Sequence, residues 1–257
     1  MVKKIPKFDS LNNFKFIKDI SLKDYNLIFR DKEYDENTLI TYSKYWLQAQ
    51  QRIKLPDHRL GFFKTHNARI KLNATQIPYT NELTTQGFIY ISRDPRDVVL
   101  SYSKHTNNDI DSTINILIND KIMGKKKIDN RMPEIITNWK DHYRSWKSFE
   151  SVPNLFLRYE DLVFDIEKEI NKIIDFFKKN FSISIDNKKE KIINIIKSTK
   201  FNNLKNIEKK EGFFEKSEYS NFFRNGKMNQ WKKKLNSNQK KIIIKYFEKQ
   251  MIDLKYI

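Results

Sequence analysis

Apolar residues in this chain fall into short continuous runs and longer stretches of helical period. Three runs read as strands: "GFFKTH" (61–66), stopping at Lys64-Thr65-His66; Phe88-Ile89-Tyr90-Ile91 after Gly87; and "NLFLRY" (154–159). The run at 88–91 is β-branched and aromatic, which predicts a strand buried on both faces in a parallel sheet. Helical spacing predicts an amphipathic helix over 36–54 ended by Pro56, and from Pro133 a stripe of Ile135, Trp139, His142 and Trp146. Another helix follows from Ile166, Ile170, Ile173, Ile174 and Phe177, and the chain is helical again after "FFRNGKMNQWKKKL". Residues 1–35 show little periodicity, 67–86 read as a polar connection, and 107–132 as a polar, lysine-rich loop of the kind that lies over a site. Strands separated by long helical patterns predict an α/β fold with a parallel sheet, and 1–257 is expected to be a single domain.

The strand ends carry the candidate chemistry. After the run at 88–91 comes Arg93, then Asp94 as N-cap, Pro95 at the first helical position and Asp97 in the first turn. A helix beginning just past a parallel strand offers amides and dipole to an anion, and Ser101 adds a hydroxyl eight residues after Arg93. The same residues also fit a plain junction with a solvent-exposed arginine. In an open parallel sheet the ends at Lys64-Thr65-His66, Arg93 and Arg158-Tyr159 share one edge, so they could converge on one ligand.

Composition narrows the choice. There is no cysteine, which excludes disulfides, thiolate metal sites and a cysteine nucleophile. The four histidines, at 58, 66, 105 and 142, lack metal-ligand spacing. No window approaches the roughly 20 apolar residues of a membrane span, and nothing at the start resembles a signal peptide, so a cytoplasmic protein with no membrane partner is expected. The net charge of +18 suits a phosphate- or sulfate-rich partner, or lysine-rich solvated faces such as 124–127 and 232–234. Without a zinc finger, an RNP-like motif or a clear helix-turn-helix, nucleic acid is the disfavoured partner.

In their order along the chain, these segments resemble the sulfotransferases that use 3′-phosphoadenosine 5′-phosphosulfate (PAPS), over about residues 60–250. "RDPRDVVLSY" is similar to that family's 3′-phosphate motif, which implies Arg93 and Ser101. "FFKTHN" resembles the strand bearing the catalytic histidine, implying His66 as base and Lys64 as its electrostatic partner. "RYEDL" implies Tyr159 near the adenine, and "STKF" implies contacts from Thr199 and Phe201. "FFRNGKMNQWK" is similar to the loop that closes over the nucleotide, implying Arg224, Asn225 and Gly226. The resemblance implies a P-loop-NTPase-like three-layer fold, sulfuryl transfer from PAPS to a hydroxyl or amine, no metal, and a small-molecule or glycan acceptor. Oligomeric state stays open, a homodimer included.

The sequence departs from the family pattern in two places. Asn225 stands where a basic residue is usual and Asn229 where a second glycine is common, with Lys227 able to compensate. No glycine precedes Gly61, so the strand and glycine-rich loop that cradle the 5′-phosphosulfate in the family have no counterpart. Two accounts fit: a chain that begins at an internal methionine of a longer protein, or a short form with a degenerate site. A missing strand would leave unpaired backbone groups costing about 1–3 kcal/mol each where buried, so poor stability is expected. The rival activities are a non-catalytic nucleotide-binding remnant of the family and a basic nucleic-acid-binding protein.

Overall fold

A computed structural model describes residues 15–16, 40–41, 43–53, 60–119, 122–123, 134–213 and 215–257. In chain order the first elements are β1 (Lys15–Phe16), α1 (Trp46–Gln51), β2 (Phe63–Lys64), β3 (Phe88–Ser92), α2 (Pro95–Thr106), α3 (Ile110–Ile118), β4 (Ile122–Met123) and β5 (Glu134–Ile135). Then follow α4 (Trp139–Lys147), β6 (Asn154–Arg158), α5 (Tyr159–Phe164), α6 (Ile166–Phe181), α7 (Lys188–Ser198), α8 (Phe201–Glu211), α9 (Trp231–Lys234) and α10 (Ser237–Asp253). Among the described residues the strands pair as β1–β2, β3–β6 and β4–β5. The first pair is parallel, with Lys15 opposite Phe63, and the last antiparallel, with Met123 opposite Glu134.

The described residues divide into two compact units, one drawn from 89–115 and 153–257, the other from 15–16, 40–88 and 116–152. The first unit, built on β3–β6, buries Val99 and Leu100 from α2, Ile170 and Ile174 from α6, Ile192 from α7, and Ile243, Phe247 and Met251 from α10. Its helices α6 and α10 start on side-chain caps. Asp165 caps α6 through the Lys168 amide, and Asn236 with Gln239 forms a capping box on α10. The second unit buries Trp46, Ala49, Ala68, Tyr79, Ile135, Tyr143, Trp146 and Phe149. There the Phe88 ring packs 5.0 Å from Trp146 and 5.8 Å from Phe149.

Several sequence expectations need correction. Ile91 is 57% exposed, so β3 is not buried on both faces; side chains alternate, and the residue turned inward next is Ser92. Ile135 belongs to β5 and not to the helix of Trp139, His142 and Trp146, because Asn138 caps α4 three residues later. The stretch 107–132 is not all loop, since Ile110–Ile118 is helical. Within the described part of 36–54, the regular helix runs from Trp46 to Gln51, with helical residues also at Ile40, Thr41 and Ser43; 36–39, 42 and 54 lie outside the described residues. A strand at Lys15–Phe16 occupies a region that shows little periodicity. Pro56, the lysine run at 124–127 and the first eleven residues lie outside the described residues. No described helix is long and apolar enough to cross a membrane.

Candidate functional site

The end of β3 is the more elaborate of the two site regions. Asp94 caps α2 by accepting from the Arg96 amide at 2.9 Å, with Pro95 at the first helical position and Asp97 in the first turn. The two arginines of this segment then diverge. Arg96 is buried, pairs with Asp94 at 2.6 Å, lies 3.7 Å over the Trp231 ring and donates to the Tyr256 carbonyl at 2.9 Å. Its charge is balanced inside the fold. Arg93 faces the segment 224–231 instead, its Nη2 donating to the Lys227 carbonyl at 3.1 Å and its guanidinium 4.6 Å over the Tyr159 ring. The Arg93 Nε is buried with no hydrogen-bond partner among the described residues. A buried cationic donor without an acceptor is costly, and an anion is the group that would satisfy it.

The 224–231 segment is held from several sides. Gly226 has φ 62°, and a Cβ there would collide with the Phe201 ring, so only glycine fits this approach. The Tyr159 hydroxyl donates to the Gly226 carbonyl at 3.2 Å. Asn229 has φ 58°, a left-handed conformation asparagine tolerates, so Asn in place of a second glycine leaves the backbone path intact. The amides of Asn229 and Trp231 donate to the two oxygens of Asp97 at 2.6 and 3.0 Å, and Asp97 is 2% exposed. Asn225 donates to Gln230 at 2.6 Å, so its amide braces the turn. Upstream, Glu208 accepts the Phe222 and Phe223 amides at 2.6 and 2.9 Å. Burial pushes the Tyr159 phenol pKa up against the pull of Arg93, and burial likewise raises the Glu160 carboxyl.

The end of β2 is organised through Asn67. Its backbone and side-chain N–H groups donate to Thr65 Oγ1 at 3.0 and 3.1 Å, which leaves the Thr65 hydrogen for Tyr79 Oη at 2.9 Å. The Asn67 side-chain oxygen accepts the Ile135 amide at 2.8 Å, and its carbonyl accepts the Trp146 indole at 2.9 Å. Ala68 N donates to the Ile135 carbonyl at 2.8 Å. His142 Nε2 lies 3.2 Å from the His66 carbonyl, which can only accept, so that nitrogen carries the proton. Burial pulls the His142 pKa down to about 4. The His66 ring remains 36% exposed, its Nδ1 3.6 Å from the Glu134 carboxylate.

With these two regions described, the comparison with known sequences is decisive: the model of the sulfotransferase domain matches residues 7–255. The chain belongs to the sulfotransferase family. It is 26% identical over 192 residues to the amine sulfotransferase of Oryctolagus cuniculus, covering 66% of this chain and 56% of that protein. It is 32% identical over 124 residues to sulfotransferase 1E1 of Bos taurus, covering 46% and 37% respectively. The chain therefore spans about half the length, or less, of these curated relatives. Its fold is similar to mouse sulfotransferase SULT7A1 complexed with PAP (TM-score 0.55, 19% identity, 79% of this chain and 69% of that one). It is also similar to retinol dehydratase in complex with retinol and PAP (TM-score 0.60, 19% identity, 95% and 73%). These likenesses establish the P-loop-like α/β fold of the sulfotransferases.

Within this sulfotransferase domain, Arg93, Tyr159, Phe201 and Gly226 come together around one turn. Arg224 and Asn225 precede that turn, half-buried. Ser101 and Thr199 stand outside these contacts: Ser101 is exposed on α2, and Thr199, exposed after α7, donates its hydroxyl to Ile195 at 2.7 Å. Lys64 and His66 lie in the other unit. Sequence reading missed Asp97 as more than a helix-start charge, and missed Asn67 and Glu134. The second acid of Asp94-Pro95-Arg96-Asp97 was a usable signal, since one carboxylate suffices to cap; the other two become visible only through contacts distant in sequence.

Proposed function

We propose that this chain is a PAPS-dependent sulfotransferase acting on a hydroxyl or amine of a small-molecule or glycan acceptor. The two units are read as parts of one sulfotransferase domain, a reading supported by a family match that runs through both. The observation that carries the assignment is Arg93, whose buried Nε–H has no partner among the described residues and lies beside the Tyr159 ring and the Gly226 turn. That donor suits the 3′-phosphate, with Ser101 as a further hydroxyl and Tyr159, Thr199 and Phe201 on the nucleoside. Arg224, Asn225 and Gly226 belong to the covering turn, and Lys227 supplies the cation that Asn225 does not.

In the transfer, His66 takes the acceptor's proton as its oxygen or nitrogen bonds to sulfur. The bond from sulfur to the 5′-phosphate oxygen breaks, and the leaving 3′-phosphoadenosine 5′-phosphate (PAP) keeps that electron pair. Lys64 stabilises the charge that develops on it, an electrostatic role that depends on position.

The test is calorimetric titration with PAP and with AMP. Binding that requires the 3′-phosphate and is lost in Arg93→Ala supports the reading; equal binding of AMP, or no binding to folded protein, overturns it. Residues 1–60 hold no glycine to cradle a 5′-phosphosulfate, so for these residues taken by themselves one second reading is a nucleotide-binding form without transfer. It predicts the same titration with no sulfated product.

A further inference from the structure

We propose that Glu134 orients His66, holding the ring with Nδ1–H toward the carboxylate and leaving Nε2 as the proton acceptor. The proposal rests on the reading of His66 as general base. Glu134 is 12% exposed and lies 3.6 Å from Nδ1, near enough for its charge to select the tautomer.

This placement is built by the backbone. Ile135, the next residue, donates its amide to the Asn67 side chain at 2.8 Å and accepts from the Ala68 amide at 2.8 Å. Those bonds lock β5 against the residues immediately after His66. β4 flanks β5 on the antiparallel side, with Met123 opposite Glu134. From α4, His142 donates to the His66 carbonyl at 3.2 Å and so fixes the main chain that carries the ring.

The groups around the ring define its electrostatics. Among the described residues, Glu134 on β5 is a carboxylate beside the ring, and His142 from α4, whose Nε2 meets the His66 carbonyl, is neutral near pH 7, its pKa held to about 4 by burial. Tyr79, which senses the Glu134 charge, is kept neutral by burial as well. The carboxylate therefore favours both the Nδ1–H tautomer and the imidazolium that forms when Nε2 takes a proton. Removing it lowers the His66 pKa.

Imidazole 15N NMR on the full chain tests this, with His66→Gln identifying the signal. Wild type is expected to show neutral His66 as the Nδ1–H tautomer. Glu134→Gln keeps the shape without the charge and should lower the His66 pKa by roughly one pH unit. Glu134→Ala should shift the neutral ring toward Nε2–H, and Glu134→Asp should restore part of the wild-type behaviour. Unchanged His142 and Trp146 signals in these variants distinguish lost orientation from lost fold. An Nε2–H tautomer in wild type, or a His66 pKa indifferent to Glu134→Gln, overturns the proposal. The pH profile of transfer adds a second readout, since the acid limb should move to lower pH in Glu134→Gln. If the NMR behaves as expected while the chain transfers nothing, the orienting pair stands and the reading of His66 as base falls.

Discussion

The ends of β3 and β2 both bring cationic side chains to the point where a strand stops, but they are built by different means. At β3 the order is local first. Asp94 caps its own helix, Pro95 fixes the entry, and only then does Asp97 reach across to the amides of Asn229 and Trp231. At β2 almost nothing is local. The strand has two residues, and Thr65, His66 and Asn67 beyond it are positioned by Tyr79, Ile135, His142 and Trp146. In the first region the carboxylates of Asp94 and Asp97 hold the backbone; in the second, neutral hydrogen bonds hold the main chain on either side of His66, and a carboxylate, Glu134, meets only its ring. A mutation at the first should therefore be felt in nucleotide affinity, and one at the second in turnover or stability.

The sharpest test of that division is His66→Ala. Transfer should fall by roughly 10²–10⁴-fold while PAP affinity is unchanged, as single-turnover kinetics alongside calorimetry would reveal. Comparable losses in both would merge the two regions into one.

His142 provides the next largest effect. Its folded pKa is about 4, below the ordinary 6.5, so above pH 6.5 both folded and unfolded states are neutral and it contributes no pH dependence. Between pH 6.5 and about 4 the unfolded chain takes up a proton that the folded chain refuses, and stability falls with pH by up to about 3 kcal/mol. Denaturant melts across that window should flatten in His142→Gln. An unchanged slope would remove His142 from the acid response.

At the other region, Arg93→Ala should weaken PAP binding by about ten- to hundredfold and leave AMP binding nearly as it was. Gly226→Ala is the mildest. The left-handed φ and the Phe201 ring should together cost about 1–2 kcal/mol, read as a several-fold loss of PAP affinity with little change in turnover. A large loss of turnover instead would mean that the turn also serves the chemistry.

The contrast also explains what could be read from the chain. Asp94-Pro95-Arg96-Asp97 announces a capped helix because Asp94 accepts from the amide two positions on and Pro95 and Asp97 sit in the first turn, all within reach of one another along the chain. The helices from Ile166 and after Asn236 were legible for the same reason. The His66 surroundings were not. Asn67 matters through Ile135 and Trp146, 68 and 79 positions later, and no periodicity encodes such pairings. Ile135 and Trp139 match a helical stripe, yet the Asn138 cap starts the helix after Ile135, so an apolar position can fit the period and still lie outside the element. Asn229 looked like a defect by residue type, and its φ of 58° makes it a fair substitute for glycine.

The Asp97 carboxylate has a consequence in time as well as in space. It ties amides 132 and 134 positions away to the first turn of α2, so those amide protons cannot exchange with solvent unless that grip breaks. Segments of irregular backbone ordinarily exchange fast. Here the Asn229 and Trp231 amides should exchange at the pace of α2, opening with the helix as one cooperative unit.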